Sequence, residues 1–397
     1  MNINRYNSTF IGLLLFHFTV LLFLINDFSI SYKEALIFFG EDKLLLSLIT
    51  NLSCNIFGQN DFALRMPFIL FYIGSSVLIY LLTDNYFKSK RDQLISLAIF
   101  MILPGVNSAA LLVNESIIVI FFTLLYLYLY KVKGKDSYWL LILFLFLDNS
   151  FAILFLALFF YSLKNKKNIL IVLSLVLFGI SMSMYGFEMG GRPRGYFLDT
   201  FGVYATIFSP VLFIYFFYSL YRIGIKFEKD IFWYISMTAL GLSLIFSLRQ
   251  KIQIEDFAPF VVIAIPIMVK LFIHSLRVRL KEFRKIHYFI ARVALGILVL
   301  NFLGFVFNKY FYLFIENPKK HFAYDYHIAK ELSYELKNLN INSIMTYDKK
   351  LALRLKFYGI DNGDKYYIGK DKYKISIKNI DIKYKNKSIE NFYIYSK

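Results

Sequence analysis

The chain has 397 residues, 58% of them hydrophobic and only 18% charged, with 45 Phe and 31 Tyr. A soluble domain carries about 25% charge, so the composition excludes a disordered chain and speaks against a soluble globular enzyme. A net charge of +18 would point a soluble protein toward nucleic acid; in a membrane protein the placement of charge decides, and no nucleic-acid partner is expected.

A spanning helix needs about 20 apolar residues. Eleven apolar runs are read at 10–28, 66–83, 94–112, 116–130, 138–148, 150–163, 169–185, 200–221, 231–247, 257–274 and 288–310. The first is read as a retained helix, because Asn26-Asp27-Phe28 offers no small-residue signal-peptide cleavage site. His17, inside it, reads as packed against neighbours. Cys54 has no partner cysteine and reads as a small apolar filler. The runs flanking Asp148-Asn149-Ser150 are either two short helices or one tilted one. Trp139 and Trp233 open apolar runs, where interfacial aromatics belong.

Basic residues follow every second run: Lys88, Lys90 and Arg91; Lys131, Lys133 and Lys135; Lys164, Lys166 and Lys167; Arg222, Lys226 and Lys229; then Arg277, Arg279, Lys281, Arg284 and Lys285. Positive-inside bias puts these loops and the N-terminus in the cytoplasm. The same alternation favours two helices around Asp148, and eleven spans then leave the C-terminus outside. From about 315 the composition turns to Lys, Asn, Asp, Tyr and Ile. Residues 329–339 and 350–357 read as helices, and 343–347, 373–377 and 392–395 as strands. The expected architecture is mostly α: a polytopic membrane domain of about eleven transmembrane helices over 1–314, and a small extracytoplasmic α/β domain over 315–397. No internal repeat, P-loop, dinucleotide fingerprint, HExxH motif or nucleophile elbow is present.

Four polar clusters fall on the outer side of this topology. The first holds Tyr32, Lys33, Glu34, Glu41 and Asp42. Carboxylates there suit a general base or a metal position, and a divalent ion is the one cofactor they suggest; the plain alternative is a solvated loop. The second is Arg65, near the start of a helix, the unfavourable end for a cation. It calls for a carboxylate or phosphate partner, or else it snorkels at the interface. The third, Asn114 and Glu115, reads equally as a helix cap. The fourth combines Arg192 and Arg194 with Arg249, Lys251, Glu255 and Asp256. Cations on the side that the charge rule depletes suit an anionic lipid phosphate, or salt bridges to the two acids.

Phe57-Gly58, then Asn60-Asp61-Phe62-Ala63-Leu64-Arg65-Met66-Pro67 opening the second long helix, resembles the integral-membrane glycosyltransferases of the C-type superfamily. The nearest branch is the protein O-mannosyltransferase and lipid A aminoarabinose transferase group. Leu112-Val113-Asn114-Glu115 and Phe246-Ser247-Leu248-Arg249-Gln250-Lys251, with Pro259 beyond, stand where that group carries weaker motifs. The resemblance covers about 10–275 and is most specific over 57–83.

The resemblance implies a bacterial inner-membrane enzyme. Its donor would be a polyprenyl-phosphate sugar, its acceptor a lipid, glycan or protein, and its reaction would take place on the outer face. It implies an acid in the first outer loop as base or acceptor ligand. Where the family has Asp-Glu-Ala, this chain has Lys33-Glu34-Ala35, so Glu34 matches the second acid and Lys33 replaces the first. Glu41 or Asp42 matches a second acidic point, without the family's prolines. Asp148-Asn149-Ser150 replaces a Lys-Gly. On this reading Glu34 activates the acceptor, and Arg65, Arg249, Lys251, Arg192 and Arg194 hold the donor phosphate. The competing readings are a glycan polymerase or ligase, a transporter, and a non-catalytic member.

Overall fold

The computed structural model describes residues 2–40, 43–186, 189–370 and 377–396. The chain opens with α1 (Asn2–Asp27), α2 (Tyr32–Phe38), α3 (Leu44–Phe57) and α4 (Asp61–Leu82). There follow α5 (Lys90–Ile102), α6 (Pro104–Leu111), α7 (Ser116–Lys133), α8 (Tyr138–Phe144), α9 (Phe151–Asn165) and α10 (Asn168–Met184). The short strand β1 (Met189–Gly190) leads to α11 (Phe197–Phe208), α12 (Pro210–Lys226) and α13 (Ile231–Ser247). After β2 (Lys251–Ile252) come α14 (Ile254–Val262), α15 (Ile265–Val278) and α16 (Lys281–Val306). The C-terminal part holds α17 (Ala329–Asn338), α18 (Lys349–Phe357), β3 (Tyr366–Gly369), β4 (Lys378–Tyr384) and β5 (Lys387–Ser396).

The protein is a polytopic helical membrane protein, but its eleven apolar runs are not eleven full-length spans. Among the described residues α1, α4, α7 and α16 are long and apolar enough to cross a membrane. Seven spans result if three bent helix pairs count as one each. The helices α9, α10 and α13 have 15, 17 and 17 residues. At about 1.5 Å per residue they stop short of a ~30 Å hydrocarbon core. The run at 138–148 yields only the seven-residue α8, and the chain then turns through Asp148, whose Oδ1 accepts the Ser150 N–H at 2.9 Å. The split at Asp148 is therefore present.

Proline sets two of the bends. Leu103 and Ser209 each precede a proline and are forced out of helical geometry (ψ 129° and 136°). The pairs α5/α6 and α11/α12 bend by 59° and 107° there. Two compact units result: residues 1–18, 70–110 and 114–303, and residues 19–69, 111–113 and 304–397.

In the first unit, the break at α5/α6 frees carbonyls that lipid cannot satisfy. Asn107 repairs it: its Nδ2 donates to the Met101 and Leu103 carbonyls, both at 2.8 Å. Its Oδ1 meets His17 Nε2 at 2.7 Å, so the packed histidine of the first helix is part of this repair.

In the second unit, Ile328, Leu332 and Leu336 of the α17 region, Leu351 and Leu355 of α18, and Ile368, Ile380, Phe392 and Ile394 of the sheet share one buried core. The sheet is antiparallel in the order β3-β5-β4. β4 and β5 join through a tight turn with Lys385 in left-handed geometry (φ 52°). The two expected helices are α17 and α18, and 392–395 lies within β5.

The expected strand at 343–347 is not formed. Ser343 bridges to Asp361 and Met345 to Tyr367, so a two-residue step meets partners six apart and no continuous register exists. Of the strand expected at 373–377, residues 373–376 lie outside the described residues. The boundary expected at 314/315 falls inside this unit, because the C-terminal residues pack with α2 and the start of α4.

Two outcomes test this packing. Asn107→Leu strips three hydrogen-bond partners at once and should cost about 1–3 kcal/mol, read as a lowered thermal midpoint in detergent. His327 in the second unit is buried, with Nδ1 3.0 Å from the Tyr312 hydroxyl. Burial, then Lys309 and His321, push its pKa down from 6.5 to about 3. The unfolded chain takes up this proton first, so stability should fall as pH drops from about 6.5 toward about 3. The slope approaches about 1.4 kcal/mol per pH unit. His327→Gln should flatten that part of a pH–stability curve; an unchanged slope would show that other groups cause it.

Candidate functional site

The centre of the second unit is a buried charge cluster on Arg65. Ser31 caps α2 with a capping box: its Oγ accepts the Glu34 N–H at 3.2 Å, and Glu34 Oε2 accepts the Ser31 N–H at 2.8 Å. That turn aims Glu34 inward, where Oε2 also meets Arg65 Nη2 at 3.1 Å and Oε1 accepts the Val113 N–H at 3.1 Å. Arg65 donates to the carbonyls of Phe28 (2.6 Å) and Ser29 (3.0 Å), just past the end of α1. Asp61, one turn earlier on α4, lies 3.6 Å away. The exposures of the Arg65 and Glu34 side chains are 0% and 3%.

Arg65 has the carboxylate partner its position called for, and its side chain is wholly buried. Glu34 accepts hydrogen bonds at both carboxylate oxygens from within the protein, and its side chain is 3% exposed. Both tie the first loop to α4. Glu41 and Asp42 lie outside the described residues.

Two C-terminal residues complete this cluster. Asp61 Oδ1 accepts the Tyr358 hydroxyl at 2.6 Å, and Tyr358 Oη accepts the Ile30 N–H at 2.9 Å. Lys330 lies 3.0 Å from Asp61 Oδ2. Burial, with Asp61 beside it, pushes the Tyr358 hydroxyl well above its ordinary range. The i,i+4 spacing of Asp61 and Arg65 was a usable signal; nothing local marked Tyr358 or Lys330.

α3 is amphipathic in an inverted sense. Ser47, Thr50, Ser53 and Cys54 are buried, whereas Leu44, Leu48, Leu52 and Ile56 are exposed. The Asn51 amide donates to the Phe38 carbonyl at 3.0 Å and joins α3 to α2. An apolar stripe on a helix of the first loop suits the membrane interface. Tyr32 and Lys33 line a cavity with C-terminal residues.

The first unit gathers the remaining cations. β1 pairs antiparallel with β2, with Gly190 opposite Lys251, and the Tyr196 N–H donates to the Ser247 carbonyl at 2.7 Å. This ladder brings the loop with Arg192 and Arg194 beside Arg249 and Lys251, and all four are exposed. Gly191 has φ +82°, and a Cβ there would meet the Tyr196 hydroxyl at 2.8 Å, so the turn requires glycine. The Arg194 guanidinium lies 4.7 Å from the Tyr196 ring centroid. Asn114 Oδ1 accepts the Ser116 N–H at 3.0 Å, just ahead of α7; the Ser116 hydroxyl donates to the Glu255 carbonyl at 3.2 Å. Glu115 occupies the N-cap position without a side-chain cap bond. Among the described residues no group of three or more His, Cys, Asp or Glu is placed to hold a metal ion.

Residues 43–185 match the profile of the dolichyl-phosphate-mannose-protein mannosyltransferase family. The segment from Phe57 to Pro67 lies inside that match. A solved structure, ArnT from Cupriavidus metallidurans in the apo state, superposes over 99% of this chain and 98% of its own. The TM-score is 0.54 and the identity 10%. The fold is that of ArnT. No curated protein sequence matches the chain.

Replacing Arg65 with Leu leaves Glu34 buried without its cation, while Asp61 keeps Lys330, and should cost about 3–5 kcal/mol. Glu34→Gln should cost less, because Asp61 and two carbonyls still surround the guanidinium. Thermal unfolding of both variants in detergent checks the order; equal midpoints would show that the cluster does not hold the fold.

Proposed function

We propose that this chain is a membrane glycosyltransferase. It moves a sugar from a polyprenyl-phosphate donor to a lipid, glycan or protein acceptor on the extracytoplasmic face of a bacterial inner membrane. The observation that carries this is the mannosyltransferase-family match over residues 43–185, borne on a fold shared with ArnT. The N-terminus is proposed to be cytoplasmic, on the loop-charge pattern.

The donor phosphate is assigned to the cluster of Arg192, Arg194, Arg249 and Lys251. Four exposed cations on the paired strands and their adjoining loops would stabilise the charge that grows on the leaving phosphate as the glycosidic bond breaks. Glu34 and Arg65 act as positioning residues. Of the acids that the sequence nominates, Glu41 and Asp42 are left to take the acceptor proton. The acceptor oxygen forms the new bond at the anomeric carbon, the polyprenyl phosphate departs, and a single displacement inverts that carbon.

One observation favours a non-catalytic reading: Lys33 stands where the family has an acid, and Glu34 beside it is sequestered. A single assay separates the two. The purified chain in lipid nanodiscs is supplied with radiolabelled polyprenyl-phosphate sugars and a membrane extract as acceptor. Transfer of label is expected. It should be lost in the Glu41→Gln/Asp42→Asn double variant at an unchanged thermal midpoint, and fall by about tenfold or more in Arg249→Ala. No transfer with any donor would leave the non-catalytic reading standing.

A further inference from the structure

The second unit contains a cavity of about 310 Å³ that the transfer reaction above does not use. Its charged lining is Lys33, Lys350, Arg354 and Lys370 against Asp325 and Asp348. Lys370 is paired with Glu390 at 3.5 Å, and Asp348 is engaged as well: its Oδ1 accepts the Lys350 and Leu351 N–H groups and caps α18.

Arg354 gives the cavity its chemistry. The residue is 6% exposed. One Nη donates to the Asp325 carbonyl at 2.8 Å, and the Nε has no partner. Among the described residues no carboxylate pairs with it. Burial pulls its guanidinium below the ordinary value, against the opposing effect of Asp325 and Asp348. A guanidinium has five donors in a fixed fork that fits a phosphate or carboxylate. Leaving the buried Nε without a partner is unfavourable unless an anion arrives.

The walls indicate what carries the anion. Lys350 lies over the Tyr32 ring, 5.6 Å from its centroid, and Phe392 also lines the cavity. Aromatic faces beside hydrogen-bonding groups suit a sugar ring, whose C–H face is apolar and whose rim is polar. Tyr32 and Lys33 belong to α2, the helix that also carries Glu34.

We propose that this cavity binds an anionic sugar of the acceptor, one bearing a phosphate or a carboxylate, with Arg354 and Lys350 on the anion and Tyr32 against the ring. The proposal rests on the glycosyltransferase reading for the word acceptor. The binding itself is measured without transfer.

The test is calorimetric titration of the full-length chain in detergent at constant ionic strength. The probes are glucose 6-phosphate, glucuronate, glucose and inorganic phosphate. Saturable binding is expected for glucose 6-phosphate or glucuronate, and whichever binds tighter identifies the anion. Neutral glucose should not bind. Lys350→Ala, on the cavity wall, should weaken binding by about tenfold at an unchanged thermal midpoint. Arg354→Lys keeps the charge but loses the fork, and should weaken it as well.

Absence of saturable binding by both anionic sugars would overturn the proposal. So would inorganic phosphate binding as tightly as glucose 6-phosphate, or Lys350→Ala binding like the parent chain. Binding that persists in the Glu41→Gln/Asp42→Asn variant while transfer is absent separates this cavity from the catalytic assignment.

Discussion

The second unit is organised around one buried positive charge. Arg65 is wholly excluded from solvent, a state that costs several kcal/mol unless geometry compensates. The chain supplies the compensation from three directions: two carbonyls past the end of α1, Glu34 from the capped turn of α2, and Asp61 from α4 itself. Each partner fixes the segment that carries it. Asp61 then passes the constraint to the C-terminal residues through Tyr358 and Lys330. The first loop, the start of α4 and α18 are therefore held by one electrostatic network.

This network reassigns the conspicuous charges of the first loop. A carboxylate and an arginine on the outer side of a membrane protein invite a catalytic role. Here the two are buried in one ion pair. The proposed chemistry rests instead on the exposed cations that the β1–β2 ladder gathers in the first unit and, in the second, on the cavity around Arg354. The same division appears in the first unit, where Asn107 and His17 repair a helix break. In both units these buried polar groups serve the fold.

Much of the helical plan was legible in the sequence. Long apolar runs, the break at Asp148, the packed His17 and the two C-terminal helices all follow from local pattern. So did the need of Arg65 for a partner, because a cation near a helix N-terminus is unfavourable by itself. The span count was not legible. Hydropathy counts apolar residues, whereas Pro104 and Pro210 bend helices without changing it. The strand expected at 343–347 failed because alternation predicts a pleated face but not a partner in register.

The sequence by itself determined the class of protein, the positions of its helices and the set of polar residues available for chemistry, since these depend on composition and short-range pattern. Only the tertiary structure decided which of those residues meet. Glu34 and Arg65 are 31 positions apart, Tyr358 and Asp61 297, and Gly190 faces Lys251 across a whole set of helices. No local rule encodes such pairings. The first two follow from desolvation, which makes a buried charge select its partners from anywhere in the chain; the third is a backbone ladder that the fold of the intervening helices brings together.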